Sequence, residues 1–318
     1  MSLMVPPLFA ALAESRSVIV AGAGGGFDVY AGLPLAAALR ATGTRVHLAN
    51  LAFTQLELLD LDAWAAENLA LVTPSTVGPE DYFPERTLAR FLAGRGWPGE
   101  VYAFPRVGVA PLRAAYRALI DRTGADALVL VDGGTDILMR GDEAGLGTPA
   151  EDMTSLGATA GLDLPVKLVT SLGFGIDAFH GVVHTQVLEN LAALDRAGDY
   201  LGALSVPSGG PEAALYRDAV ADAVAATPLR PSIVQTQIAA ALRGDCGDVH
   251  DSTRTRGSTL FVNPLMAIYF TVRLDALAAR NLYLDRLTET VGMRQVQSRI
   301  DAFRDSFGAF RTPTAFPH

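Results

Sequence analysis

The sequence predicts an α/β fold, on three observations. Short β-prone runs alternate with Ala/Leu-rich stretches of helical periodicity over the first 210 residues. The runs, such as SVIVA at 17–21 and ALVLV at 127–131, are apolar throughout rather than alternating in polarity. A strand of that kind has both faces covered, which is the signature of a parallel sheet. Polar or glycine-rich segments follow the runs directly, where an open parallel sheet builds its ligand crevice. Right-handed crossovers then give a doubly wound, mostly parallel sheet with helices on both faces, a Rossmann-like three-layer sandwich.

Strands are expected at 17–21, 45–51, 69–73, 100–104, 127–131, 166–171 and 201–206. Helices are expected at 31–42, 55–67, 85–94, 110–123, 151–161 and 183–197. After residue 210 the pattern is helical, at 211–226, 231–243, 263–281 and 293–307. No Pro/Gly/Ser linker separates this tail. It reads as a C-terminal helical extension, 211–318, on a sheet core, 1–210, in a single α/β domain of 1–318. The extension would pack on the sheet or make a contact in a homo-oligomer.

Composition narrows the function classes. With 318 residues, half of them hydrophobic and 19% charged, the chain can bury a large core. A net charge of −9 argues against nucleic acid as a partner and leaves a small-molecule ligand open. One cysteine, Cys246, excludes an internal disulfide and a cysteine-rich metal site, in keeping with a cytoplasmic setting. The N-terminal apolar stretch is broken by Pro6 and Pro7 and does not read as a leader. No run reaches the ~18–20 apolar residues of a membrane span.

Four motifs carry candidate chemistry. The first, AGAGGGFD at 21–28, offers the backbone of Gly24, Gly25 and Gly26 to a ligand at a helix start, with Asp28 beside it. It departs from the dinucleotide fingerprint, since Phe27 stands where a glycine is needed. Asn50 stands near the end of the second strand, where the ribose-binding acid of that fingerprint is expected. No Gly-Lys-Ser/Thr follows, so this is no P-loop. Otherwise the segment is a tight turn with Asp28 as helix cap.

The second motif, DGGTD at 132–136, lets Gly133 and Gly134 turn the chain off its strand so that Asp132 and Asp136 converge, with Thr135 between them. Paired carboxylates can hold Mg²⁺ or Mn²⁺, grip hydroxyls, or divide acid and base roles. Asp142 and Glu143 follow; they belong either to the site or to a solvated surface paired with Arg140. The third motif spaces Asp177, His180 and His184 at i, i+3, i+7, one helical face, with the two histidines at a metal-bridging i, i+4. Either histidine could equally make an ordinary hydrogen bond. The fourth, HDSTRTRGST at 250–259, gathers Arg254 and Arg256 with hydroxyls, a set suited to an anion, or else an exposed loop. Without a G-x-S-x-G elbow, serine-based acyl transfer is not expected.

The phrases AGAGGGFDV, FPRVGVAPLRAAYRALI, LVLVDGGTDILMRGDEAGLGTPAEDM and NPLM resemble a bacterial and archaeal family known as a domain of unknown function, number 1152, over roughly residues 15–305. The resemblance implies an α/β fold and carries no mechanism. Where a serine is expected after Asp136, this chain has Ile137.

The expectation is an enzyme acting on a nucleotide, nucleoside or sugar phosphate by metal-assisted hydrolysis or group transfer. Asp132 and Asp136 are its metal ligands or acid/base pair, His180 or His184 its proton shuttle. Gly24–Gly26, Asp28, Asn50, Gly133–Thr135, Arg254 and Arg256 are its binding set. A non-catalytic sensor or regulatory subunit with the same ligand is the alternative, and a structural subunit of an assembly the blander third.

Overall fold

The computed structural model describes residues 4–251, 253–255, 257 and 260–314. Among them, nine strands form one mixed sheet. They are β1 (Ser17–Gly22), β2 (Arg45–Leu51), β3 (Trp64–Ala66), β4 (Leu69–Val72), β5 (Val101–Phe104), β6 (Ala127–Asp132), β7 (Val166–Ser171), β8 (Tyr200–Ser205) and β9 (Ile268–Arg273). The order across the sheet is β3-β4-β5-β2-β1-β6-β7-β9-β8.

The centre, β5-β2-β1-β6-β7, is parallel. The pairs β3–β4, β4–β5, β7–β9 and β8–β9 are antiparallel. The chain is thus α/β with a mostly parallel core. Alternate residues of the central strands enter two different cores. Ile19, Ala21, Leu128 and Leu130 join one cluster, while Val18, Val20, Val129 and Val131 join another. Helices Val109–Thr123, Pro149–Ala160 and Met293–Ser306 contribute to the first, and Leu33–Ala41, Pro84–Ala93 and Pro211–Ala226 to the second. This explains why the strands carry no polar face.

Two expected elements are corrected. The stretch 55–67 is not a helix: it forms two short helical turns, Leu56–Leu58 and Leu61–Ala63, and then β3. Glu67 and Asn68, the latter at φ 57°, turn β3 back onto β4, while Leu56 and Leu59 bury against Phe83 and Val72. Tertiary packing outweighs the helical propensity of a Leu/Ala-rich run. The stretch 263–281 is not one helix either. Its β-branched and aromatic part becomes β9, inserted between β7 and β8, and only Leu274–Arg280 is helical. The C-terminal third is therefore not purely a helical extension, since it supplies a strand to the sheet.

Because the five central strands run in parallel, the segments after β1, β2, β5, β6 and β7 emerge at one edge. That edge is where open α/β sheets bind ligands. Among the described residues, no helix is long and apolar enough to cross a membrane.

Candidate functional site

The glycine segment after β1 turns sharply. Gly25 and Gly26 have φ of 91° and 63°, which L side chains rarely adopt. The turn delivers Asp28 to the start of a short helix, Asp28–Ala31, but Asp28 folds back so that its Oδ2 accepts from the Gly24 N–H at 2.7 Å. Asp132 ends β6, and Asp152 lies in the first turn of helix Pro149–Ala160. One carboxylate oxygen each from Asp28, Asp132 and Asp152 lies within 4.8 Å of the others, and all three side chains are buried.

Two further buried acids surround them. Asp136 Oδ2 accepts from the Thr148 N–H at 2.8 Å and from its hydroxyl at 3.0 Å. Asp177 Oδ2 accepts from the Thr135 N–H at 2.6 Å. The Asp132 Oδ2 and Asp152 Oδ1 atoms have no hydrogen-bond partner among the described residues. No lysine or arginine there forms an ion pair with any of the five.

The electrostatics follow directly. Burial, and then the Asp136 charge, push the Asp28 carboxyl up to about 8, against the Gly24 N–H that favours its ionised form. Burial and the charges of Asp136 and Asp28 hold Asp132 well above the usual carboxylate range. Burial and the charges of Asp136 and Asp132 do the same to Asp152. Asp177 is raised by burial and by Asp136. Asp136 is raised by burial, with the Thr148 donors opposing. Carboxylates gathered without counter-charge must share protons or hold a cation.

A cavity of about 440 Å³ borders this cluster at Asp28. Gly25, Gly26 and Asp28 line its buried side, and Phe53 and Tyr82 contribute rings. His180, Arg230 and Arg254, all exposed, line it as well. Arg254 is anchored by donating to the Pro231 carbonyl at 2.7 Å and lines the same cavity as the glycine segment. Arg256 lies outside the described residues.

Gln235 approaches from helix Ile233–Arg243. Its Oε1 accepts from the Tyr216 hydroxyl at 2.6 Å, while its buried Nε2 has no partner among the described residues. The place where a Gly133 Cβ would stand is 2.7 Å from that Nε2 and 2.9 Å from Asp28 Oδ1. Gly133 and Gly24 thus keep this space open. At Gly24 a Cβ would sit 2.7 Å from Asp28 Oδ2 and 2.8 Å from Asp152 Oδ1. At Gly134 it would strike the Asp177 carboxylate.

The anticipated residues divide. Asp28, Asp132, Gly24–Gly26 and Gly133 meet at the cluster; Asp136 and Thr135 buttress it through Thr148 and Asp177. The close oxygens are those of Asp28, Asp132 and Asp152, so Asp136 is a charged neighbour of the trio and not a member of it. Asn50 is spent on the fold: its amide donates to the Gly26 carbonyl at 2.8 Å and to buried Glu85 at 2.6 Å. His180 and His184 do not share a helix. His180 ends the short turn Ile176–His180, Gly181 breaks it at φ 84°, and helix His184–Ala197 starts afresh. His184 packs on Phe174, with ring centroids 5.4 Å apart, so the i, i+4 bridge is not formed. Asp142 and Glu143 belong to another network, with Arg140, Asn190 and Arg311.

Asp152, Gln235, Arg230, Phe53 and Tyr82 escaped the sequence reading. Asp152 was visible only as a first-turn acid, a common helix feature. Gln235 had no signal beyond helical periodicity.

A family model described as a protein of unknown function (DUF1152) matches residues 64–304. No curated protein and no solved structure matches the chain. The matched range contains Asp132, Asp136, Asp152, Asp177, Gln235 and both arginines of the cavity, and leaves Asp28 outside.

Proposed function

The chain belongs to the DUF1152 family of proteins of unknown function, and from its uncompensated acid cluster we propose an enzyme that acts on a small phosphorylated metabolite with a divalent cation. The observation that carries the reading is the trio Asp28, Asp132 and Asp152, with oxygens within 4.8 Å of one another, beside an arginine-lined cavity that Asp28 borders. Mg²⁺ binds oxygens at ~2.1 Å, so opposite ligands stand ~4.2 Å apart, and oxygens within 4.8 Å of one another are close to that span. The cation would lie between the trio and the ligand. Arg230 and Arg254 would take the phosphoryl charge at the exposed side, where guanidinium groups grip it bidentately.

Gln235, held at Oε1 by Tyr216, would offer its amide N–H to a ligand oxygen. The reaction class is metal-assisted hydrolysis or group transfer, in which the cation neutralises developing charge. A doubly wound, Rossmann-like arrangement is the finer fold reading that goes with it. The parallel centre and the site at the ends of its strands support that reading.

Thermal unfolding with Mg²⁺ or Mn²⁺, alone and with nucleotides or sugar phosphates, tests the proposal. At ~100-fold its dissociation constant a ligand adds ~2.7 kcal/mol. The expected result is a raised midpoint needing both cation and phosphorylated ligand, lost in Asp132→Asn, followed by turnover of that ligand. An unchanged midpoint with every cation overturns the metal reading. A ligand that stabilises the protein but is recovered intact moves the assignment to a sensor.

A further inference from the structure

We propose that the cavity over the glycine segment is built for a nucleotide, with its base stacked on the Phe53 and Tyr82 rings and its phosphates between Arg230, Arg254 and the acid trio. This rests on the function proposed above and narrows its substrate class.

Phe53 follows β2 at the ligand edge of the sheet and leaves 44% of its surface exposed, although it touches the glycine turn. The turn is shaped around the two rings. A Cβ on Gly25 would stand 2.5 Å from Phe53 Cε1. A Cβ on Gly26 would stand 3.1 Å from the Tyr82 hydroxyl and 3.4 Å from Phe53 Cδ2. Both rings therefore meet at one spot on the turn, and side chains there would displace them.

The rings are also held. The Arg106 guanidinium lies 5.1 Å from the Phe53 centroid. Tyr82 meets Phe27 edge-on, with centroids 5.6 Å apart. A ring fixed by a cation and another fixed by an edge contact are platforms with little left to order on binding.

The polar ends lie in the same cavity. Asp28 lines it on one side and Arg230 and Arg254 line it too, together with Tyr82. A volume of about 440 Å³ exceeds the need of a bare phosphate and falls in the ~300–1,000 Å³ range of metabolite pockets. A sugar phosphate would use the charged groups and leave both rings idle. A nucleotide uses all three.

Calorimetric titration of the full chain with nucleoside mono- and diphosphates, and with ribose 5-phosphate, each with Mn²⁺, tests this. Stacking on an aromatic side chain is worth ~1–3 kcal/mol per base, which is roughly 5–150-fold in affinity. The expected result is nucleotide binding tighter than ribose 5-phosphate by that factor. Phe53→Ala should shrink the difference, leaving what Tyr82 supplies, while ribose 5-phosphate binds as before, and Phe53→Tyr should restore it. Equal affinity for nucleotide and ribose 5-phosphate, or equal weakening of both by Phe53→Ala, overturns the nucleotide assignment and leaves the phosphorylated-metabolite reading standing. No binding of any of them with Mn²⁺ overturns both.

Discussion

The segment that leaves β6 carries two pairs of acids, and the molecule treats them in opposite ways. At its tail, Glu143 is fully buried yet accepts from the Gly141 N–H at 2.7 Å, the Asn190 amide at 2.7 Å and Arg311 Nη2 at 2.8 Å. Asp142 pairs with Arg140 and Arg311, and Arg311 also grips Glu189. Burial alone would raise the Glu143 carboxyl; the donors of Asn190, Arg140 and Gly141 outweigh it and hold it below its ordinary value. At the head, Asp132 and Asp136 are just as buried, but their neighbours are Asp28, Asp152 and Asp177. A buried charge is tolerated when it is paired and hydrogen-bonded. The tail meets that condition from within the fold. The head does not, and a ligand cation or shared protons must complete it.

The largest expected effect contrasts the two ends. Arg311→Ala leaves Glu143 and Asp142 short of a counter-charge and should cost about 3 kcal/mol of unfolding free energy. Asp132→Asn mimics the protonated carboxyl that burial and the neighbouring acids favour, so in chelator it should unfold no earlier than the wild type. Urea denaturation of the two variants in EDTA checks this. A fall in stability for Asp132→Asn as large as that for Arg311→Ala would erase the distinction.

The next effect is on pH. Asp28 titrates at about 8 in the folded protein, against 3.8 for a free aspartate. Buried Glu85 titrates at about 7, raised by burial against the Asn50 and Thr54 hydrogen bonds. Between pH 4 and 8 the folded chain thus holds protons that the unfolded chain has released. Stability should fall as pH rises through that window. Glu143 contributes with the opposite sign: its stabilisation is present above the usual glutamate range and is lost only in more acid solution. On the proposed function, cation binding displaces the head's protons, so affinity for Mn²⁺ should rise with pH. Denaturation midpoints at pH 5 and 8, with EDTA and with Mn²⁺, measure both slopes. A chelated protein more stable at pH 8 than at pH 5 would contradict the assigned carboxyl shifts.

The same contrast shows what the sequence could reveal. Runs apolar throughout, as in β1 and β6, announce a covered parallel sheet, and the loops after them mark the edge where the acids gather. Asp132 was legible because it ends such a run beside two glycines. Its partner Asp152 lies beyond a long loop, in the first turn of the next helix, and nothing local separates an acid that turns inward from one that merely caps a dipole. Whether an acid is compensated is settled at long range: Arg311 reaches Glu143 across most of the C-terminal half, and no local pattern encodes that. β9 was missed for a related reason. Six β-prone residues flanked by Ala/Leu-rich sequence fit a buried helix as well as a strand, and only the vacant place between β7 and β8 decides.

The smallest effect is the most local. Gly24 is not at positive φ, so alanine there brings little backbone strain. Its Cβ would instead press on the Asp28 and Asp152 oxygens, at 2.7 and 2.8 Å. Gly24→Ala should therefore spread the trio and weaken Mn²⁺ about tenfold, the lower end of what disturbing a metal site's surroundings costs. At the tail, Gly141→Ala meets Tyr283 at 2.8 Å with φ 115° and should lower stability by ~1–3 kcal/mol without touching Mn²⁺ affinity. Mn²⁺ titration and denaturation of both variants separate the two consequences. If Gly24→Ala binds Mn²⁺ like the wild type, the three carboxylates do not act on one ion, and the head of the segment is a proton-sharing cluster instead.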